Sequence, residues 1–110
     1  MYCIGYTLVA IEIRQTEAFA NWFAELSNKQ VRARIDVRIR RLSLGNPGDV
    51  EPRGEGVSEM KIHYGPGYRV YFIQNGKELI MLLAGGDKST QSKDIKTAIE
   101  MARNLQEIKK

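Results

Sequence analysis

Three strand-like runs separated by two glycine-marked turns, all between Glu59 and Lys88, constrain the fold of this chain more than any other feature. Glu59-Met60-Lys61-Ile62-His63-Tyr64 runs into Gly65-Pro66-Gly67 and then into Tyr68-Arg69-Val70-Tyr71-Phe72-Ile73. After the Asn75-Gly76 hairpin signal comes an apolar run from Leu79 to Ala84, closed by Gly85-Gly86-Asp87-Lys88. Strands joined by turns this short are antiparallel. Met60, Ile62, Val70 and Phe72 alternate with Lys61, His63, Arg69 and Tyr71, and successive side chains of a strand point to opposite faces. One sheet face therefore reads as core, while the other presents cations, an imidazole and a phenol. Such a face suits a phosphodiester.

Upstream the periodicity becomes helical. A first strand is expected at Tyr6 to Arg14, followed by a helix from about Glu17 with Thr16 as N-cap. Its apolar residues Phe19, Trp22, Phe23 and Leu26 recur at the spacing of one helix face. Ser27 and Asn28 break and recap the chain, and a second helix carries Val31, Ile35, Ile39 and Leu42 inward. Gly45 to Ser58, rich in glycine and proline, reads as a long loop. Strands are expected at Ser58 to Tyr64, Tyr68 to Gln74 and Glu78 to Ala84. A last helix from Ser89 or Thr90 buries Ile95, Ala98, Ile99, Ala102 and Leu105. The order is βααβββα, an α+β domain over residues 1–110 with a mainly antiparallel sheet, helices on one face and the other face open. At 110 residues such a chain buries roughly 60 to 70% of its unfolded surface and needs no disulfide or metal to fold.

The one cysteine, Cys3, has no intramolecular partner, which points to a reducing compartment, the cytoplasm by default. No Lys or Arg precedes Arg14, so the apolar start does not read as a signal peptide. No apolar run approaches the roughly 20 residues that a membrane-spanning helix needs.

The net charge of +4 is unevenly placed. Lys29, Arg32, Arg34, Arg38, Arg40 and Arg41 share a short segment with a single acid, Asp36. A solvated helix face accounts for such a run, and so does a surface for polyanions or an acidic partner. The bias to arginine favours recognition, because guanidinium groups bind phosphate and carboxylate bidentately. Gly86-Asp87-Lys88-Ser89-Thr90 lacks the glycine spacing of a nucleotide-binding loop. It still places Lys88, and Lys93 beyond it, at a helix entry where free N–H groups attract phosphate. Arg69 reads either as a surface Arg paired with Glu59 or Glu78, or as a cation aimed at a reacting phosphate beside Lys61. His63, the one histidine, is of the side-chain type suited to acid–base work near neutrality. Tyr64, Tyr68 and Tyr71 offer rings for base stacking. No metal-ligand spacing and no nucleophile triad is present, so no metal centre or cofactor is expected.

The element order, the Arg-rich second helix, Glu59 to Phe72, and Leu83-Ala84-Gly85-Gly86-Asp87-Lys88-Ser89-Thr90-Gln91 together resemble toxins of the RelE/ParE superfamily, in particular the HigB-like "addiction module killer" branch. The likeness extends over almost the whole chain. It implies the toxin of a type II toxin–antitoxin pair, silenced by a cognate antitoxin with a helix-turn-helix region. Similar toxins cut mRNA on the ribosome without a metal ion, by attack of the 2′-OH on its own phosphodiester. Carried over by position, Arg69 would stabilise the transition state, with Lys61 and Lys88 adding charge. No Tyr or His follows Tyr71, where many such nucleases carry one. Acid–base assistance then falls to His63, Tyr71 or a lysine, and Arg32, Arg34, Arg38, Arg41 and Lys93 would contact RNA or the ribosome. The same gap leaves a ParE-like inhibitor of DNA gyrase, without enzymatic activity, as the alternative.

Overall fold

A computed structural model of the chain describes residues 10–109, with side chains as far as Leu105. The elements are β1 (Glu12–Gln15), α1 (Glu17–Ala24), α2 (Lys29–Ser43), β2 (Val50–Gly54), β3 (Val57–Ile62), β4 (Tyr68–Asn75), β5 (Leu79–Gly86), a 3-10 turn (Lys88–Thr90) and α3 (Gln91–Lys109). They form one five-stranded sheet in the order β1-β5-β4-β3-β2. β1 pairs with β5 in parallel, and the other pairs are antiparallel. The expected α+β class and mainly antiparallel sheet hold. Of the first expected strand, Tyr6 to Val9 lie outside the described residues.

Both helix starts follow from the caps in the sequence. The Thr16 hydroxyl accepts the Phe19 N–H at 3.1 Å and donates to the Leu83 carbonyl at 2.7 Å, which fastens the start of α1 to β5. Asn28 accepts from Gln30 and Val31 and starts α2. Each cap satisfies N–H groups that a helix leaves unpaired in its first turn.

Two expectations fail. Gly45 to Ser58 is not one long loop, because it contains β2, an edge strand paired with β3. Pro52 has no N–H to donate and is tolerated there because the outer side of an edge strand has no ladder to complete. A register shift at Pro52/Gly54 and positive φ at Gly54, Glu55 and Gly56 then turn the chain tightly into β3. Nor do the helices share one face. α1 and α2 cover Met60, Ile62, Val70, Phe72, Ile80 and Leu82. α3 lies on the other side, with Ala98 and Ala102 against Val57, Tyr71, Leu83 and Ala84. The cause lies in β4 and β5, whose alternate positions are apolar on both sides. A near-continuous apolar run marks a strand buried on both faces.

The two faces therefore differ only near one end. Cα register pairs Val57 with Ile73, Glu59 with Tyr71, and Lys61 with Arg69, all on the α3 side. The first residue of α3, Gln91, donates to the Glu59 carboxylate at 2.9 Å. The helix thus covers the sheet as far as the Glu59–Tyr71 pair and leaves Lys61 and Arg69 beyond its end.

Candidate functional site

Beyond the start of α3 the sheet opens into a groove of about 470 Å³ lined by Lys61, Ile62, His63, Tyr64, Gly65, Pro66, Gly67, Arg69 and Lys88. Four of the five residues singled out for chemistry, Lys61, His63, Arg69 and Lys88, meet here. Tyr71 does not. It is fully buried, and its hydroxyl donates to Glu59 at 3.0 Å. Burial, together with the Glu59 carboxylate, raises the Tyr71 phenol well above its ordinary range, so it stays protonated.

Each groove cation is held by its own element. Lys61, near the end of β3, reaches back to Glu51 of β2 at 2.7 Å. Arg69 follows the turn in which Gly67 adopts φ +81°. Its guanidinium donates to the Gly67 carbonyl at 2.5 Å and lies so close that a Cβ at Gly67 would come within 2.8 Å of Nη1. Only glycine accepts both that φ and that approach. The Arg69 side chain is 11% exposed, with Nε 3.4 Å from a Glu59 oxygen. This Nε lacks a hydrogen-bond partner among the described residues. Of the two pairings open to a surface Arg, the structure realises the one with Glu59, but below the surface. His63 is 73% exposed and paired with Asp49 at 2.5 Å. That bond holds the Asp49 carboxyl below its ordinary range.

Lys88 stands exposed on the 3-10 turn. The helix entry beside it is already engaged, since Asp87 accepts the Ser89 N–H at 2.8 Å. Lys88 therefore enters the groove as a side-chain cation, and Lys93 is exposed on α3 outside the groove lining. The Gly-Gly-Asp-Lys-Ser-Thr-Gln stretch has mostly packing reasons. A Cβ at Gly85 would come within 2.1 Å of the Trp22 ring, and one at Gly86 within 1.9 Å of Asp94. Asp87 caps the turn, and Gln91 binds Glu59.

The arginines of α2 divide by task. Arg38 donates to the carbonyls of Lys61 at 2.7 Å and Pro47 at 3.0 Å, tying the approach to β2 onto β3. Burial lowers its pKa, against the pull of Asp49. Arg34 lies over the Tyr64 ring at 4.1 Å, and Arg32 over Phe23 at 5.6 Å. Arg34, Arg38 and Arg41 line a second, broader cleft of about 680 Å³ that shares Ile62, His63 and Tyr64 with the groove. Of the rings considered for stacking, Tyr68 packs edge-on against Trp22 and Tyr71 is buried, which leaves Tyr64 on the rim.

The sequence reading missed Glu51, Arg53 and the role of Glu59. Glu59 is a fully buried carboxylate. Arg53 donates to it at 2.7 and 3.2 Å and also pairs with Glu51 at 3.0 Å. Burial alone would raise the Glu59 pKa, but hydrogen bonds from Arg53, Gln91 and Tyr71 outweigh it and hold the carboxyl below its ordinary range. The signal was present as the period-two patterns Glu51-x-Arg53 and Glu59-x-Lys61, hidden by taking the first as loop. Among the described residues no three His, Cys, Asp or Glu side chains are grouped to hold a metal ion, and no helix is long and apolar enough to cross a membrane.

The sequence matches the family described as "Phage derived protein Gp49-like (DUF891)" over residues 21–107. It is 44% identical over 97 residues to an uncharacterized protein of Haemophilus influenzae, covering 88% of this chain and 98% of that one. A mutant of the E. coli toxin RelE, solved in the free state, superposes with a TM-score of 0.67 at 15% identity, covering 84% of this chain and 97% of RelE. At that identity the likeness is one of fold.

Proposed function

Because the chain belongs to the Gp49-like family and has the fold of RelE, we propose that it is the toxin of a type II toxin–antitoxin pair that cuts mRNA on the ribosome. The observation that carries this reading is the meeting of Lys61, His63, Arg69 and Lys88 in one groove at the open end of the sheet. In the proposed reaction the 2′-OH of the nucleotide before the cut attacks the adjacent phosphorus, and the bond to the 5′-oxygen breaks. The products are a 2′,3′-cyclic phosphate and a 5′-hydroxyl. Arg69 and Lys61 face the growing negative charge on the phosphoryl oxygens, where fixed cations stabilise the transition state more than the ground state. His63, oriented by Asp49, takes the 2′-OH proton, and Lys88 donates one to the departing oxygen. No metal ion has a part. Arg34 and Arg41, in the cleft continuous with the groove, hold the RNA or ribosome beside it, with Arg32 and Lys93 as outlying contacts.

Such an activity has to be silenced during growth, so the partner is a cognate antitoxin with a helix-turn-helix region, encoded nearby, and the site of action is the cytoplasm. The test is a translation reaction on purified ribosomes, its products separated and their ends identified. Downstream fragments bearing a 5′-hydroxyl are expected. Intact mRNA, together with trapped gyrase–DNA cleavage complexes when gyrase is supplied, would instead make the chain a ParE-like gyrase inhibitor.

A further inference from the structure

Two of the groove cations, Lys61 and Arg69, are the ends of a chain of alternating charge that runs from the half-exposed Glu51 inward to a buried acid. Lys61 pairs with Glu51 at 2.7 Å, Glu51 with Arg53 at 3.0 Å, and Arg53 with Glu59 at 2.7 Å. Glu59 then faces Arg69 Nε at 3.4 Å. The chain crosses from β3 to β2, back to β3 and on to β4. It returns to its starting point, since Lys61 and Arg69 are register partners. Its centre is Glu59, the one charged side chain buried completely among the described residues.

A carboxylate in such a place is costly unless its oxygens are fully used. Here Oε1 accepts two bonds from Arg53, and Oε2 accepts from Tyr71 and Gln91. Those four bonds engage both Glu59 oxygens. The Arg69 side chain, by contrast, has one hydrogen bond among the described residues, from Nη1 to Gly67, and an Nε that Glu59 approaches without closing. The fixed anion thus sits behind a cation that lines the groove.

We infer that Glu59 is a positioning residue: a buried anion, locked by Arg53, Tyr71 and Gln91, that draws the Arg69 Nε inward and so orients the remaining guanidinium nitrogens toward a phosphate in the groove. This rests on the RNA-cutting reading of the groove, and it gives Tyr71 a task without placing it in the chemistry. Tyr71 serves the site through Glu59. The same arrangement keeps the positive charge of Arg69 from being uncompensated when the groove is empty, because the anion lies behind it.

The experiment compares Glu59→Gln, Glu59→Asp, Tyr71→Phe and Arg69→Ala, each checked for cooperative unfolding, in ribosome-dependent mRNA cleavage. Glu59→Gln keeps the shape and removes the charge. It is expected to lower kcat at least tenfold with KM for ribosome-bound mRNA within twofold, since the cations of α2 that bind are untouched. Glu59→Asp should recover part of that loss, and Tyr71→Phe should lower kcat about threefold. Joined to Arg69→Ala, Glu59→Gln should add less than twofold, because both act through one group. In parallel, the side-chain Nε–H resonance of Arg69, followed by 15N NMR on the full chain, should shift in Glu59→Gln and Tyr71→Phe. The inference is overturned if the Arg69 resonance stays in place in both variants. It is equally overturned if folded Glu59→Gln or, should that variant not fold, Tyr71→Phe cuts at the wild-type rate. Failure of the RNA-cutting reading would look different: wild-type protein would leave mRNA intact, or Arg69→Ala would cut normally, while the resonance would still report whether Glu59 holds Arg69.

Discussion

The two ends of the sheet face beneath α3 follow one alternating pattern and reach opposite outcomes. At one end Val57, Tyr71 and Leu83 are packed under Ala98 and Ala102 until nothing of them is left for solvent. At the other, Lys61 and Arg69, the next pair on this face after Glu59 and Tyr71, border an open groove. The difference is where α3 begins. Gln91 over Glu59 marks the last covered position, so side chains before it serve stability and those after it are available for chemistry. A strand residue's role on this face is set by helix coverage as much as by its own polarity.

Substitutions at the covered end should act on stability. Tyr71→Ala removes a fully buried ring and a hydrogen bond to a buried carboxylate, and should cost about 4 kcal/mol in urea unfolding. A loss below about 1 kcal/mol would break the comparison, because it would mean that the ring is not packed. Gly85→Ala drives a methyl group into the Trp22 ring and should cost about 3 kcal/mol by the same measurement. It tests whether the glycines before Asp87 are required by packing and not by a ligand.

Within α2 the same contrast recurs on a smaller scale. Arg38→Ala leaves the carbonyls of Lys61 and Pro47 without a side-chain donor and should lower stability by about 1 to 2 kcal/mol. Arg41→Ala, at an exposed position, should change it by less than about 0.5 kcal/mol while weakening binding to ribosomes. Equal effects of the two on stability would contradict the division of the α2 arginines.

Much of the fold was legible because it rests on local signals. Thr16 and Asn28 cap where caps were expected, and the apolar periodicity of α1 and α2 named their inward residues. The groove was legible for a related reason: period-two alternation placed Lys61 and Arg69 on one face, and two turns fixed their neighbours. What escaped detection depended on non-local pairing. β2 carries Pro52 and Gly54 and runs straight into a positive-φ Glu55, and only its partner β3 makes a strand of it. With β2 unread, Arg53 had no place, and Glu59 looked like a surface acid. The second helix layer escaped because the apolar run of β5 gives no sign of which face its helix will choose.

The smallest expected effect is on pH dependence. His63 holds the Asp49 carboxyl below its ordinary range. A depressed folded-state pKa contributes stability above the unfolded value, about 3.9, and loses it as pH falls through the folded value. Asp49→Asn should therefore lower the thermal midpoint slightly at pH 7 and make its acid side shallower, so that variant and wild type converge below about pH 4. A difference that persists undiminished well below about pH 4 would contradict the ionised Asp49 carboxylate as the cause.

Arg69 tests the division of the sheet face most directly, because it belongs to the next pair on that face after the last covered one. Cleavage rate and unfolding midpoint should be measured on the same preparation of Arg69→Ala. The account predicts a cooperative unfolding transition together with a loss of mRNA cleavage of at least about 100-fold, the scale of removing one group that stabilises transition-state charge. A folded Arg69→Ala protein that cuts mRNA at the wild-type rate would contradict it.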